Sequence, residues 1–182
     1  MYYANAPQYT FLYRSLLKNK DFKEAFINRM TTLLQMHFES SRVLAQIEKL
    51  TTEINLEITR DQKRWSLDAS KMDRQLEIIK QFAKDRPSFL IKHLQDYFKL
   101  GEPVSVTLSS KGKGTVCVHN LPLDRSSLSI TFFKGLPVTI TAIPEKDVSW
   151  VEWSDGHKEP TRVLYPEKTK TLTAIFTQKK VD

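Results

Sequence analysis

The chain has 182 residues, 40% of them hydrophobic and 27% charged, which is the composition of an ordinary soluble globular protein. No run of 18 apolar residues is present, so we expect no membrane span. The first residues, Met1 to Asn5, lack the basic stretch and apolar core of a signal peptide. The net charge is +7, of which residues 1–102 carry +4 (17 basic, 13 acidic) and residues 103–182 carry +3 (11 basic, 8 acidic). Because this excess is spread evenly, it does not favour a nucleic-acid partner.

Glycine and proline, which mark turns, are concentrated in the second half of the chain. All five glycines lie at or after Gly101, and six of the eight prolines lie at or after Pro103. We therefore predict two separate domains in an α+β protein. Residues 1–102 should form an antiparallel helical bundle or hairpin, and residues 103–182 a small antiparallel β-sandwich or barrel.

The first two helices are predicted from apolar side chains at helical spacing. A short helix should bury Phe11, Leu12, Leu16 and Leu17, with Asn19 in the turn that follows. The second should begin at the capping box Asp21–Glu24. Its apolar face would consist of Phe22, Phe26, Met30, Leu33, Leu34 and Phe38.

A longer helix of some 25 residues should follow, capped by Ser40 or Ser41. Its apolar stripe is Leu44, Ile47, Leu50, Ile54, Ile58 and Trp65. The next helix should open at Asp68 or Ser70 and break at Asp85-Arg86-Pro87, because proline is disfavoured inside a helix. A last helix should then restart there and end at Gly101. Short connections between these helices predict antiparallel neighbours.

Beyond residue 103 the apolar period changes from about 3.6 to 2, which predicts strands. Val104, Val106 and Leu108 alternate with polar residues, and similar runs recur up to Phe176. Seven short strands at a spacing of about ten residues indicate a sandwich or small barrel. The single cysteine, Cys117, lies in one of these strands, where we expect a small buried apolar side chain and not a reactive thiol.

The residues alone indicate no catalytic site and no cofactor. No nucleophile elbow, phosphate-binding glycine loop before a helix, or zinc-protease motif is present. His37 and His93 lie far apart, so we expect neither to bind a metal. Glu53, Glu57, Arg60 and Arg64 are expected to form a ladder of surface ion pairs.

One cluster has two interpretations. Trp150, Trp153, Asp155 and His157 could bind a sugar, because exposed tryptophan rings stack on carbohydrate and the polar groups could contact its hydroxyls. Alternatively, Trp153 fills the core and Asp155-Gly156 makes a hairpin turn. Since strand residues alternate between faces, we expect at most one of the two rings to point into the core.

The helical part resembles the C-terminal helical end of CotH-type proteins, the spore-coat-protein-H-like family with an atypical protein-kinase fold. The resemblance covers roughly residues 9–100. It depends on the positions Asn19-x-x-Phe22-x-x-x-Phe26-x-x-Arg29-x-x-x-Leu33-Leu34, Arg60-x-x-x-Arg64-Trp65, Phe82-x-x-x-Arg86-Pro87 and Leu94-x-x-x-Phe98-x-Leu100.

The strand part, about residues 104–177, resembles a divergent internalin-type B-repeat, a β module of bacterial surface proteins. The matching positions are Gly114-Thr115-Val116, Lys134-Gly135-x-x-Val138-Thr139-Ile140-Thr141-Ala142-Ile143-Pro144, Trp153-Ser154-Asp155-Gly156 and Leu172-Thr173-Ala174-Ile175-Phe176. It departs from such repeats at Asp147-Val148-Ser149-Trp150, where they usually read Gly-Tyr-x-Phe.

Together the resemblances imply a non-catalytic C-terminal piece of a larger CotH-like protein. CotH-like kinases use acidic residues and a nucleotide-anchoring lysine that this sequence does not match, so we expect no enzymatic activity of this chain. The implied partners are an upstream kinase-like domain or another protein. A cell-surface glycan is a further possible ligand. The implied location is the bacterial cell envelope or exterior.

Residues facing the kinase-like body should form an exposed apolar patch, for which Phe11, Leu12 and Leu16 are candidates. The alternative is a carbohydrate-binding β module with a helical spacer.

Overall fold

The computed structural model describes residues 7–66 and 68–179, in which four helices precede eight strands. The helices are α1 (Pro7–Leu16), α2 (Lys20–Met36), α3 (Ser40–Trp65) and α4 (Ala69–Phe98). The strands are β1 (Pro103–Lys111), β2 (Gly114–Val118), β3 (Leu121–Pro122), β4 (Ser127–Phe133), β5 (Val138–Pro144), β6 (Val148–Trp153), β7 (Thr161–Leu164) and β8 (Lys170–Gln178). The predicted α+β class is confirmed.

The described chain divides into two compact units. One contains the described residues up to Thr32 together with those from Lys99 onward, and the other is Leu33–Phe98. The division falls within α2, so α1 and most of α2 belong to the same compact unit as the strands. The domain boundary at residues 102 and 103 stays a prediction, because compactness alone does not define a family domain.

The start of α2 differs from the predicted capping box. Asn19 accepts a hydrogen bond from the backbone N of Phe22 at 2.9 Å through its side-chain Oδ1, which makes Asn19 the N-cap. Asp21 lies in the first turn instead, where its negative charge favours the positive end of the helix dipole.

The predicted break at Pro87 is wrong, because α4 is one continuous helix of 30 residues that includes Pro87. Proline has no backbone N–H, so the carbonyl of Ala83, four residues earlier, loses its helical donor. The Ser40 hydroxyl, at the start of α3, donates to this carbonyl at 2.9 Å and also lies 3.0 Å from the Lys84 carbonyl. A serine expected to cap its own helix therefore compensates a proline in the neighbouring one.

The end of α4 also differs from the prediction, because Lys99 and not Gly101 takes the left-handed conformation after the helix (φ 51°). Gly101 is required for a different reason. A Cβ at this position would lie 2.8 Å from the Lys134 carbonyl oxygen. The glycine thus allows the chain leaving α4 to pass close to the turn after β4.

The strands form two four-stranded sheets, in the orders β4-β1-β8-β6 and β3-β2-β5-β7. All pairs are antiparallel except β1 and β8, which are parallel. The sheets pack face to face, and the Phe176 ring of one leaves no room for a side chain at Gly114 of the other. The described part of the chain thus holds a sandwich of eight strands and not the seven expected. The short β3 follows a tight turn in which His119 and Asn120 have φ values of 47° and 63°.

Candidate functional site

Helix α1 carries an exposed apolar patch. Phe11 and Leu12 are each 71% exposed and Leu16 is 39% exposed. The expectation from helical spacing that these side chains are buried is therefore wrong, whereas the expectation of an exposed patch at the same positions is confirmed. In the same unit, Tyr13 packs edge-to-face on Phe26 of α2 at a centroid distance of 5.3 Å.

The antiparallel hairpin formed by α3 and α4 is the second apolar surface. Its base is packed, since Leu34, Met36, Ala83 and Leu94 are buried. Further out, no described side chain of residues 37–82 is buried. Large apolar side chains are nevertheless exposed along this outer part, namely Phe38, Leu50, Ile54, Leu56, Trp65, Met72, Ile78, Ile79 and Phe82.

Most of these side chains recur at helical spacing and therefore form stripes along α3 and α4. On α3, Leu50 and Ile54 are one turn apart. On α4, Ile78 and Phe82 are one turn apart and Phe89 follows seven residues later, with exposures of 60%, 61% and 55%. We call these five side chains the hairpin stripe. Amphipathic helices normally bury such a stripe against other helices, and two helices alone do not cover it.

Charged groups border the apolar side chains of the hairpin. Arg60 pairs with Glu57 at 2.5 Å, which confirms that pair of the predicted ladder, whereas Glu53 pairs with Lys49 at 3.9 Å. The Arg64 guanidinium lies 5.3 Å from the Trp65 ring, and that of Arg86 lies 5.7 Å from the Phe82 ring. Exposed pairs of this kind contribute little to stability, so they set the character of the surface more than its fold.

The structure brings the tryptophans of the predicted sugar site together, but in an unexpected orientation. A bulge in β6 between Trp150 and Glu152 shifts the register, so that Trp150 pairs with Phe176 and Trp153 with Ala174. Phe176 and Ala174 both face the core. Both tryptophans therefore lie on the core side, and the expectation that their rings occupy opposite faces is wrong because it assumed an unbroken alternation.

Both indole N–H groups are used inside the protein. Trp153 is fully buried and donates to the Glu159 carbonyl at 3.1 Å. Trp150 is half-buried and donates to the Lys158 carbonyl at 2.6 Å, with its ring 5.4 Å from that of Trp153. The two rings thus hold the loop after β6, as the core interpretation of Trp153 predicted. A sugar site here would have only the Trp150 ring to offer, and it stays a prediction.

Asp155 and His157 complete this loop. Both Asp155 carboxylate oxygens lie 2.8 Å from Nη1 of Arg162, and the His157 backbone N lies 3.4 Å from Oδ1. Burial opposes ionisation of Asp155, but the hydrogen bonds and charge of Arg162 outweigh it and lower the pKa of the carboxyl. Asp155 therefore acts as the anchor of a turn, with Gly156 at φ 85°.

Neither a metal-binding cluster nor a membrane-spanning helix occurs in the described part of the chain. Within residues 7–66 and 68–179, no group of three His, Cys, Asp or Glu side chains could hold a metal ion. His37 lies in the turn after α2, whereas His93 is on α4 and lies beside Phe89 with ring centroids 6.5 Å apart. Among the described helices, none is long and apolar enough to cross a membrane.

The sequence comparison supports one of the two resemblances. No curated protein and no solved structure matches the chain. Residues 1–90 match the family model described as CotH kinase protein. That match spans α1 to α3 and most of α4, and so includes the α1 patch and the hairpin stripe. It does not reach the strands, and the likeness of the sandwich to a B-repeat stays a prediction. Residues 1–90 are thus a CotH-like region.

Proposed function

We propose that the helices of this protein are a docking element for the kinase-like body of a CotH-like protein, and that this chain supplies no catalytic residue. The observation that carries the proposal is the hairpin stripe, which is exposed within a region that matches the CotH family model. A family whose fold includes a kinase-like body offers the apolar surface that such helices require. The kinase-like body is therefore the occupant to which the proposal commits.

The size of the exposed surface supports a stable contact. A specific interface buries on the order of 800 Å² on each partner, with aromatic side chains at its centre. The stripe offers Phe82 and Phe89 with three exposed aliphatic side chains, Leu50, Ile54 and Ile78. Burying an exposed phenylalanine contributes about 1.5–3 kcal/mol. Phe82 and Phe89 are thus the expected hot spots.

A binding assay tests this proposal directly. The purified full chain is mixed with the kinase-like region of a CotH-family protein encoded in the same genome, and complex formation is followed by light scattering after gel filtration. We expect a complex that Phe82→Asp with Phe89→Asp weakens at least about a hundredfold, since two hot spots are lost. Leu56→Asp is the matched control, because Leu56 is 74% exposed but lies on the opposite side of α3.

Three outcomes would overturn the proposal. A stable homodimer that the Phe82→Asp and Phe89→Asp changes dissolve would assign the stripe to a second copy of this chain. Phosphoryl transfer from ATP by the isolated chain, in the presence of Mg²⁺ or Mn²⁺, would contradict the non-catalytic role. The absence of any complex at micromolar concentrations would also reject the kinase-like body as the occupant.

The sandwich is assigned a binding role in the same proposal, at the bacterial cell envelope or exterior. Three exposed apolar side chains on or next to the β3-β2-β5-β7 sheet support it: Ile143, Val163 and Tyr165. Retention of the protein in the envelope fraction of its source cells should fall in a Val163→Lys, Tyr165→Ser variant. Unchanged retention would remove this part of the proposal without affecting the docking assay.

A further inference from the structure

The outer face of the β3-β2-β5-β7 sheet has a covered region. Along β5, Val138, Ile140 and Ala142 are buried in the core, so Thr139 and Thr141 point to the other face. Cys117 pairs with Thr141 and, because directly opposed residues share a face, also points outward. Cys117 is nevertheless only 6% exposed. Side chains packed on this face of the sheet therefore cover it.

Helix α2 meets this sheet at the start of β5. Two pairs of adjacent side chains, one helical turn apart, are buried in α2: Ile27 with Asn28, and Thr31 with Thr32. Asn28 donates from Nδ2 to the Pro137 carbonyl at 2.7 Å, immediately before β5 begins. This buried side-chain bond fixes the helix at the start of β5, next to Thr139.

His119 lies at the same place. It follows β2 in the tight turn before β3, and its backbone N donates to the Thr139 carbonyl at 2.9 Å. Its ring atom Nε2 is buried, and no described residue provides a hydrogen-bond partner for it. The Arg29 guanidinium, one residue beyond Asn28 on α2, is close enough to act on it electrostatically.

A protonated His119 would be unfavourable here for three reasons. Burial removes the water that stabilises the imidazolium charge, the new N–H would have no acceptor, and Arg29 would repel it. Burial first and the Arg29 charge second lower the pKa of His119 from its ordinary value of 6.5. The other titratable group on the adjoining strand is the Cys117 thiol, whose pKa is raised by burial, so it stays uncharged at acidic and neutral pH. The residues of β5 include no titratable side chain.

We propose that His119 is a pH-sensitive latch for α2, which stays on the sheet while the imidazole is neutral and is released when acid protonates it. The direction follows from linkage. The released state binds the proton at the ordinary pKa and the docked state only at a lower one, so the docked state is fully stable above about pH 6.5 and loses stability as the pH falls below it. Each pH unit in the window below that value shifts the equilibrium by up to about tenfold.

Cys117 provides the readout, because it is the single thiol of the chain, is buried, and lies on the face of the sheet from which α2 would be released. The full-length protein is pulsed with dithiodipyridine, which reacts with thiols in acid, between pH 5 and pH 7.5. Each rate is divided by that of the urea-unfolded chain at the same pH, which removes the titration of the thiol itself. The wild-type rate should rise by up to about tenfold per pH unit below 6.5.

Two variants and a control separate the latch from general acid sensitivity. His119→Asn removes the titration and keeps a residue that tolerates the positive φ, so its labelling should not depend on pH. Arg29→Gln removes the repulsion and brings the pKa of docked His119 closer to its ordinary value, so the total acid-dependent rise in labelling should be smaller, and the change is a mild one because this side chain is exposed. His157→Asn changes another histidine of the same unit and should leave the wild-type profile unchanged.

The results decide the matter in either direction. A flat wild-type profile, or the same acid-dependent rise in His119→Asn, would overturn the latch. Should the variants fold poorly by circular dichroism, hydrogen exchange of wild-type α2 decides alone, after correction for the intrinsic pH dependence of exchange. Protection that falls between pH 7.5 and pH 5 supports release, and unchanged protection refutes it.

Discussion

The hydrogen bond between Ser40 and the carbonyl that Pro87 leaves free gives the sharpest test of the helical hairpin. Ser40→Ala removes the only hydroxyl that donates to the Ala83 carbonyl at 2.9 Å, among the bonds of the described residues. Ala83 is buried, so water does not readily replace the donor. Leaving a buried carbonyl unpaired costs about 1–3 kcal/mol, and we expect Ser40→Ala to destabilise the hairpin by that amount.

The reasoning predicts a coupling between residues 43 positions apart, which a double-mutant cycle measures. In a Pro87→Ala background the new N–H of residue 87 donates to Ala83, so Ser40→Ala should then cost about 0.5 kcal/mol or less. The coupling energy should therefore be about 1–2 kcal/mol. Urea unfolding followed by far-ultraviolet circular dichroism gives the four stabilities. Hydrogen exchange in α3 and α4 assigns the loss to the hairpin, since two compact units need not unfold together.

Ser88→Ala provides the matched control. Ser88 also donates to a helix carbonyl, that of Asp85, but this bond is exposed, so the cost should be within about 0.5 kcal/mol. An equal cost of Ser40→Ala in the wild-type background and in the Pro87→Ala background would refute the account of the unbroken helix.

Two further predictions concern the sandwich. Gly114→Ala should destabilise it by about 1–3 kcal/mol in thermal unfolding, because the added Cβ would lie 2.5 Å from the Phe176 ring; Thr115→Ala at the next position is the control and should cost less. Asp155→Asn should remove a stabilisation that is present above the ordinary pKa of 3.8 and lost as the pH falls through the lowered value of the folded state. The stabilities of wild type and Asp155→Asn should thus converge as the pH falls below 3.8; curves that stay parallel there would contradict the role of the Arg162 pair.

The period of the apolar residues was enough to predict the fold class. Val104, Val106 and Leu108 alternate in the sequence and are all buried in β1. The pairing partners could not be predicted in this way. β1 lies parallel to β8, which is distant in the sequence, and alternation carries no information about which strands meet.

Predictions made from neighbouring residues in the sequence failed where a distant contact or an irregular strand determined the structure instead. A proline ends a helix unless its freed carbonyl finds another donor, and that donor, Ser40, is on a different helix. The prediction of which sheet face Trp150 occupies was wrong, because one extra residue in β6 reverses the alternation of side chains. The sequence does not single out His119, since neither a turn histidine nor its neighbour Asn120 indicates that the ring nitrogen will be buried. Only the burial of Nε2 identifies it.

The distribution of buried residues connects the fold to the proposed docking. The base of the hairpin contains Leu34, Met36, Ala83 and Leu94, and these four side chains are the buried apolar core among the described residues of that unit. Beyond them α3 has no buried residue along its 26 positions, although helices in proteins owe most of their stability to packing of an apolar face. A partner that covers Phe82 and Phe89 would therefore stabilise the outer hairpin as well as bind it, because any ligand selective for the folded state raises its stability. Docking and folding of this arm should be one coupled equilibrium.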